Sequence, residues 1–196
     1  MNPWRESPTL VGSRVTLRPL IADDRDALIA AAADGEQTEL FFANVSGLVD
    51  PDAFMAATFR ERDHGRAMPF AVEAPGRGVV GLTRLMRMNA AHRRLEIGGT
   101  FYAASVQRTG VNTEAKLLLL AHAFDTLGCN VVQIRTDWFN RRSQAAIERL
   151  GAKRDGVLRS HQVMAGRVRD IVVYSIIACE WPGVRANLSH LLGRHG

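Results

Sequence analysis

Residues 105–128 read SVQRTGVNTEAKLLLLAHAFDTLG, a polar loop that runs without a break into an apolar segment. Leu117, Leu120, Ala121, Phe124 and Leu127 recur at intervals of three and four, which predicts a helix over 113–127 with one face in the core. Asn112 stands just before it and is a favourable N-cap. The first N–H groups of a helix have no acceptor inside it, and the helix dipole adds partial positive charge there. A loop that delivers further amides to that end makes a cradle for an anion. Gly110 permits the positive φ such a loop needs, Arg108 adds a cation, and no carboxylate falls between Ser105 and Thr113. The same features describe an ordinary capped strand-to-helix turn, and both readings stand at this point. The loop lacks the Gly-Lys-Ser/Thr of a Walker site and does not show GxGxxG, which argues against nucleoside triphosphates and dinucleotides.

Upstream, RVTLRPL (14–20) alternates as a half-buried strand does, and Asp23 and Asp24 cap a helix running to Ala33. Residues 39–49 are irregular and hold Phe41 and Phe42. Asp50 followed by Pro51 is a strong helix start, with Phe54, Met55, Thr58 and Phe59 as the inward stripe. MPFAVEA, VVGLTRLMRM and RRLEIGGTFYA then read as an antiparallel meander. Downstream of the loop-helix unit come a strand, NVVQIRTDWF, a helix, NRRSQAAIERLG, a closing hairpin over 152–178 and a final helix over 181–192. The order β-α-α-β-β-β-α-β-α-β-β predicts an α/β (α+β) fold built on one mixed sheet, in one domain spanning 1–196. Trp138, Phe139 and Trp181 read as packing residues, and His122 as packed on its helix.

The chain has 196 residues, 46% hydrophobic and 23% charged, with a formal charge of +5. The excess of base suggests an anionic partner. The basic residues are scattered, without the stripe or stacking aromatics of a nucleic-acid surface, so no nucleic-acid partner is expected. The longest apolar run, IVVYSIIAC, is interrupted by Tyr174 and Ser175, and the N-terminus lacks the apolar stretch of a secretory signal. No membrane partner and a cytoplasmic location are therefore expected. Cys129 and Cys179 form no CxxC pair and the histidines show no ligand spacing, so no metal is expected.

Three segments in order, LEIGGTFYAASVQRTGVNTEAK, NRRSQAAIERLGAKRDGVLRSH and RDIVVYSIIACEW, resemble the GCN5-related N-acetyltransferase (GNAT) superfamily, nearest to its branch of ribosomal-protein N-terminal acetyltransferases. Gln107, Arg108, Thr109 and Gly110 match the start of its loop signature Q/R-x-x-G-x-G/A, whereas Asn112 stands where the last small residue is usual. The resemblance implies a GNAT fold: a mostly antiparallel central sheet of about seven strands, flanked by helices, with splayed central strands. It implies acetyl-CoA as donor, its pyrophosphate over the backbone of Gln107, Arg108, Thr109, Gly110, Val111, Asn112 and Thr113. Main-chain groups of Phe101 and Tyr102 would bond the pantetheine arm, with an N–H near Phe101 as oxyanion donor.

The same resemblance assigns the chemistry. The acceptor is a primary amine, on a protein N-terminus or a small molecule, and it attacks the thioester directly. Glu96, in LEIG, is the candidate base; from the residues alone it could equally be a strand glutamate paired with Arg93 or Arg94. Many relatives protonate the thiolate with a tyrosine where this chain has Ile147. Ser143 is then the candidate at the coenzyme sulfur and Asn140 at the pantetheine, although Asn140 is also a good N-cap with Ser143 three residues on. Phe41 and Phe42 are candidates for the acceptor pocket, and Asp34, Glu36 and Glu39 for an acidic groove receiving a cationic amine. Dimers are common in the family, so a homodimer is an expectation. The loss of the tyrosine leaves one alternative, a non-catalytic CoA-binding module acting through a protein partner.

Overall fold

Alternating side chains place Leu17 of Thr16–Pro19 (β2) in the core, and the same logic builds the rest of the sheet. A computed structural model describes residues 2–35, 50–164 and 166–194; Glu36, Glu39, Phe41 and Phe42 lie outside them. The other strands are Leu10–Val11 (β1), Met68–Ala74 (β3), Gly78–Asn89 (β4), Arg94–Tyr102 (β5), Val131–Asp137 (β6), Lys153–Met164 (β7) and Arg167–Ile177 (β8). They form one sheet in the order β1-β2-β3-β4-β5-β6-β8-β7. The short β1 adds an eighth strand to the expected seven or so, pairing Leu10 with Leu17 and Val11 with Thr16.

Among the described residues five α-helices accompany it: Arg25–Ala33 (α1), Pro51–Asp63 (α2), Val111–Ala121 (α3), Arg141–Leu150 (α4) and Trp181–Gly193 (α5). Asp50 caps α2 as its sequence predicts, accepting from the Ala53 N–H at 3.0 Å. Every strand pair is antiparallel except β5–β6, which needs the crossover that α3 supplies. Leu119 and Leu120 of α3 are fully buried, together with Ile97 of β5 and Val132 of β6. Each such side chain contributes roughly 2 kcal/mol of apolar burial, which holds the loop ahead of α3 in place.

Two departures from regular pairing shape the middle of the sheet. β5 and β6 are in register from Arg94↔Val131 to Ile97↔Ile134 and unpaired beyond, so Gly98–Tyr102 and the end of β6 diverge. On its other side, β5 sets Gly99 and Thr100 against the single residue Thr83, because Leu82 faces Phe101 while Arg84 faces Gly98. Gly99 takes φ +55°, the left-handed geometry of a bulge, and bends the strand away from β6. The splayed central strands follow from this bulge.

The N-terminal segment is tied down by Glu114, a residue in the first turn of α3. Its carboxylate accepts from the backbone N–H groups of Ser13, Arg14 and Val15 and from the Ser13 hydroxyl, at 2.6–3.1 Å. The acid of the first turn of α3 is thus turned away from the polar loop. Glu114→Gln would keep the size but present an NH2 to donors. Thermal or urea unfolding should show a loss of about 2 kcal/mol, and an unchanged midpoint would rule the clamp out.

Candidate active site

The loop and the start of α3 make a concave turn of amides. Gly110 is the N-cap of α3, with φ +91° and ψ −14°, and Arg108 is also left-handed at φ +65°. A left-handed residue next to a right-handed one, as Gly110 is next to helical Val111, turns successive N–H groups to one side, the geometry of an anion nest. The first helical bond runs from the Glu114 N–H to the Gly110 carbonyl at 2.9 Å, so Val111, Asn112 and Thr113 present their N–H groups at the helix mouth. Asn112 is therefore the second helical residue, not the cap: the sharp turn at Gly110 starts the helix two residues earlier than side-chain preference suggests. The far end differs as well. α-Helical bonding stops at Ala121 and a π turn, His122–Thr126, completes the segment. Thr109 Oγ1 donates to the Val106 carbonyl at 2.6 Å and stiffens the loop.

That turn opens onto a cleft of about 400 Å³ in the gap between the diverging halves of β5 and β6. Phe101, Tyr102, Gln107, Asn112, Asn140 and Ser143 all line it. The Ala103 N–H donates to Val80 across β4, so by strand alternation the main-chain groups of Tyr102 face the gap. There the Tyr102 carbonyl accepts from Gln107 Nε2 at 3.2 Å, while Gln107 Oε1 accepts from Arg142 of α4. The Gln107 side chain thus clasps both walls, a role beyond the backbone one expected of it. Asn140 caps α4, its Oδ1 accepting from the Ser143 N–H at 2.9 Å, and both residues face the cleft. The structural and the site reading of this pair are compatible.

Charge in the cleft is mainly positive: Lys116, Arg135, Arg142 and Arg169 line it, against Asp137. Lys116 is 6% exposed and donates to Thr100 Oγ1 at 2.9 Å, and Thr100 Oγ1 lies 2.8 Å from Thr83 Oγ1 across the bulge. Burial lowers its pKa to about 7. Asp137, at the end of β6, accepts from Arg167 Nη2 at 2.5 Å, Arg169 Nε at 2.7 Å and the Phe139 N–H at 2.8 Å. Burial alone would raise its pKa, but these donors hold the carboxyl below the usual range.

Glu96 lies on the face of β5 opposite Ile97 and is buried. Its Oε2 is 3.3 Å from Arg87 Nε and 3.2 Å from Arg135 Nε. The pairing with Arg93 or Arg94 is replaced by these two, because Met86↔Glu96 and the irregular register after Met86 bring β4 alongside. Burial raises the Glu96 pKa above the ordinary glutamate range against the pull of Arg87, Arg135 and Arg84.

Residues 14–153 match the family described as Acetyltransferase (GNAT) domain. This chain belongs to the GNAT family. N-acetyl transfer is accordingly its class of chemistry. YdaF of Bacillus subtilis, provisionally named a ribosomal N-acetyltransferase, is 32% identical over 103 residues, 53% of this chain and 56% of that one. The alignment thus spans little more than half of YdaF. The structure of a GCN5-related N-acetyltransferase from Brucella melitensis superposes with a TM-score of 0.82 at 29% identity, over 95% of this chain and 86% of that one. Mycobacterium smegmatis RimJ, solved with CoA-disulfide, shares the fold at a TM-score of 0.79 and 22% identity, over 96% of each chain.

Against the GNAT pattern, Ile147 faces the cleft where many relatives carry a phenol. Tyr174 donates its hydroxyl to Glu148 at 2.8 Å instead. Asp34 of the expected acidic groove bonds the Ser105 N–H at 3.1 Å and tethers α1 to the turn before the loop. Trp181 packs as expected, stacked on Phe124 at 5.5 Å, and His122 is buried, whereas Phe139 is 58% exposed at the turn into α4. Lys116 escaped the sequence reading, yet it had a signal: it shares a helical stripe with Leu119, Leu120 and Ala123, and so falls on the buried face. No helix among the described residues is long and apolar enough to cross a membrane.

Proposed function

We propose that this GNAT domain, read as one unit over 1–196, transfers acetyl from acetyl-CoA to a primary amine, a protein N-terminal amine in the first instance. One observation carries the reading: the left-handed turn at Arg108 and Gly110 is flanked by Gln107 and Asn112, both of which line the cleft in the unpaired β5–β6 gap. Amides there suit a pyrophosphate, and the gap suits an extended arm whose amides meet the main chain of Tyr102; by the same alternation Phe101, expected to share that task, turns its main-chain groups to β4. The bound donor supplies an electrophilic thioester carbonyl. The residues of the chain have three tasks: accept the amine proton, donate to the developing oxyanion and steady the departing sulfur. Glu96 is the base, directly or through water, since its raised pKa makes it a better proton acceptor than an ordinary carboxylate. An N–H near Phe101 serves the oxyanion, Asn140 the arm, and the Ser143 hydroxyl the sulfur. The name of YdaF supports the choice of a protein N-terminus as acceptor.

The reading is tested by following thiol release from acetyl-CoA against N-terminal peptides and small amines. Acceptor-dependent release supports it. Tight coenzyme binding without turnover on any amine would favour the binding-module reading, to which Ile147 in place of a phenol lends its weight. Glu96 has its own signature. A base must be deprotonated, so kcat/KM should climb with pH through an apparent pKa above the normal glutamate range. Glu96→Gln should lower the neutral-pH value by about a hundredfold and flatten that limb. A limb that survives the substitution assigns it to another group.

A further inference from the structure

The face of the sheet that carries Glu96 also carries more cation than its carboxylates neutralise. Arg84, paired with Gly98 in the register of β4 and β5, shares this face with Glu96 and Arg135. Its guanidinium fills the space that a Cβ on Gly99 would take and sits 5.6 Å from the centre of the Phe54 ring of α2. The group is wedged between the bulge and that helix. Its Nε is buried without a hydrogen-bond partner. The two carboxylates that act on it from a distance are both engaged elsewhere: Glu96 by Arg87 and Arg135, and Glu61 by Arg66 Nη2 at 2.8 Å. No carboxylate among the described residues lies within ion-pair distance of Arg84. A guanidinium with no carboxylate at ion-pair distance is under-compensated, and the Phe54 ring beside it holds it against the bulge. The residue as a whole is only half-buried, and Gly99, which it covers, lines the cleft.

We propose that Arg84 is a specificity subsite for a carboxylate carried by the amine acceptor, held beside the β5 bulge while the amine meets the thioester. The inference rests on the acetyl-transfer reading and names the substrate class: amines that bear an acid, on a side chain near a peptide N-terminus or as a free amino acid. It also reverses the expected groove. Around Glu96 the arginines Arg84, Arg87 and Arg135 outnumber the carboxylate, so the amine is recognised through its anionic neighbour.

The test uses acceptors in matched pairs, a peptide with Glu or Gln at its second position and a free amino acid or its amide. Thiol release with the full-length protein should favour the acid of at least one pair by about tenfold in kcat/KM, and the pair identifies the source of the carboxylate. Arg84→Met should bring that ratio to about one through KM rather than kcat, and Arg84→Lys should restore part of it. Calorimetric binding of the same pairs with CoA present reads the subsite without turnover, so failed chemistry and a failed subsite are told apart. Equal affinity and equal rates for acid and amide in the native protein would overturn the proposal. So would an Arg84→Met variant that melts like the native protein and keeps the preference.

Discussion

Lys116→Met should stabilise the protein below neutral pH, and the gain should disappear by about pH 10. The residue is 6% exposed, and among the described residues its amine has one hydrogen-bond partner, the Thr100 hydroxyl. Burial brings its pKa from 10.5 to about 7. The sign follows from proton counting. Between those two values the unfolded chain holds the proton and the folded chain has released it, so stability rises with pH across the window. Below pH 7 the folded state carries a charged, buried ammonium and the whole deficit applies. A shift of this size corresponds to a deficit on the order of 5 kcal/mol. Methionine removes the charge at similar volume and loses one hydrogen bond worth about 1 kcal/mol. Thr100 is not stranded, because the Thr83 hydroxyl remains beside it at 2.8 Å. Urea unfolding at pH 6, 8 and 10 measures the difference. A native-minus-variant offset that stays constant across the three would show that Lys116 titrates normally. The same amine grips Thr100, the second residue of the bulge that opens the sheet.

How much of this was legible in the chain depends on distance along it. The strands around β5 and the capped start of α2 at Asp50 and Pro51 are local patterns and appear where periodicity puts them, whereas the buried face of α3 is turned from the expected one: Leu119, Leu120 and Ala123 are fully buried, and Leu117, Ala121 and Phe124 only partly. The cap of α3 was misplaced because side-chain preference favours Asn112, whereas the turn is decided by backbone dihedrals at Arg108 and Gly110. Contacts between elements were out of reach for a different reason. Asp137 meets Arg167 and Arg169 only through the register of β6 on β8, thirty residues away along the chain. Glu96 meets Arg135 only across the parallel pair, and Arg87 only through an irregularity in β4 that no residue pattern announces. Lys116 lies between these cases. Its place on a buried stripe was readable, but its partner Thr100 depends on a bulge.

Gly110→Glu should weaken coenzyme binding by several hundredfold while the domain stays folded. At φ +91° a side chain brings Cβ against its own backbone, a strain of about 1–2 kcal/mol. A carboxylate at a helix N-terminus recovers about half a kcal/mol of that through the dipole, so the melting temperature should fall only modestly. The damage falls on the anion. The new carboxylate is drawn to the N–H groups of Val111, Asn112 and Thr113 that the phosphates would use, and it repels whatever phosphate remains. Competition and repulsion together are worth about 3–4 kcal/mol, hence the several hundredfold. Gly110→Ala separates the causes, since it carries the strain without the charge and should cost about tenfold. Raising the salt concentration should narrow the gap between the two variants, because only the glutamate acts through charge. Isothermal titration of CoA into all three proteins supplies the numbers. If the glutamate variant binds as tightly as the native chain, the pyrophosphate does not lie on this turn, and the arm does not enter the β5–β6 gap from it.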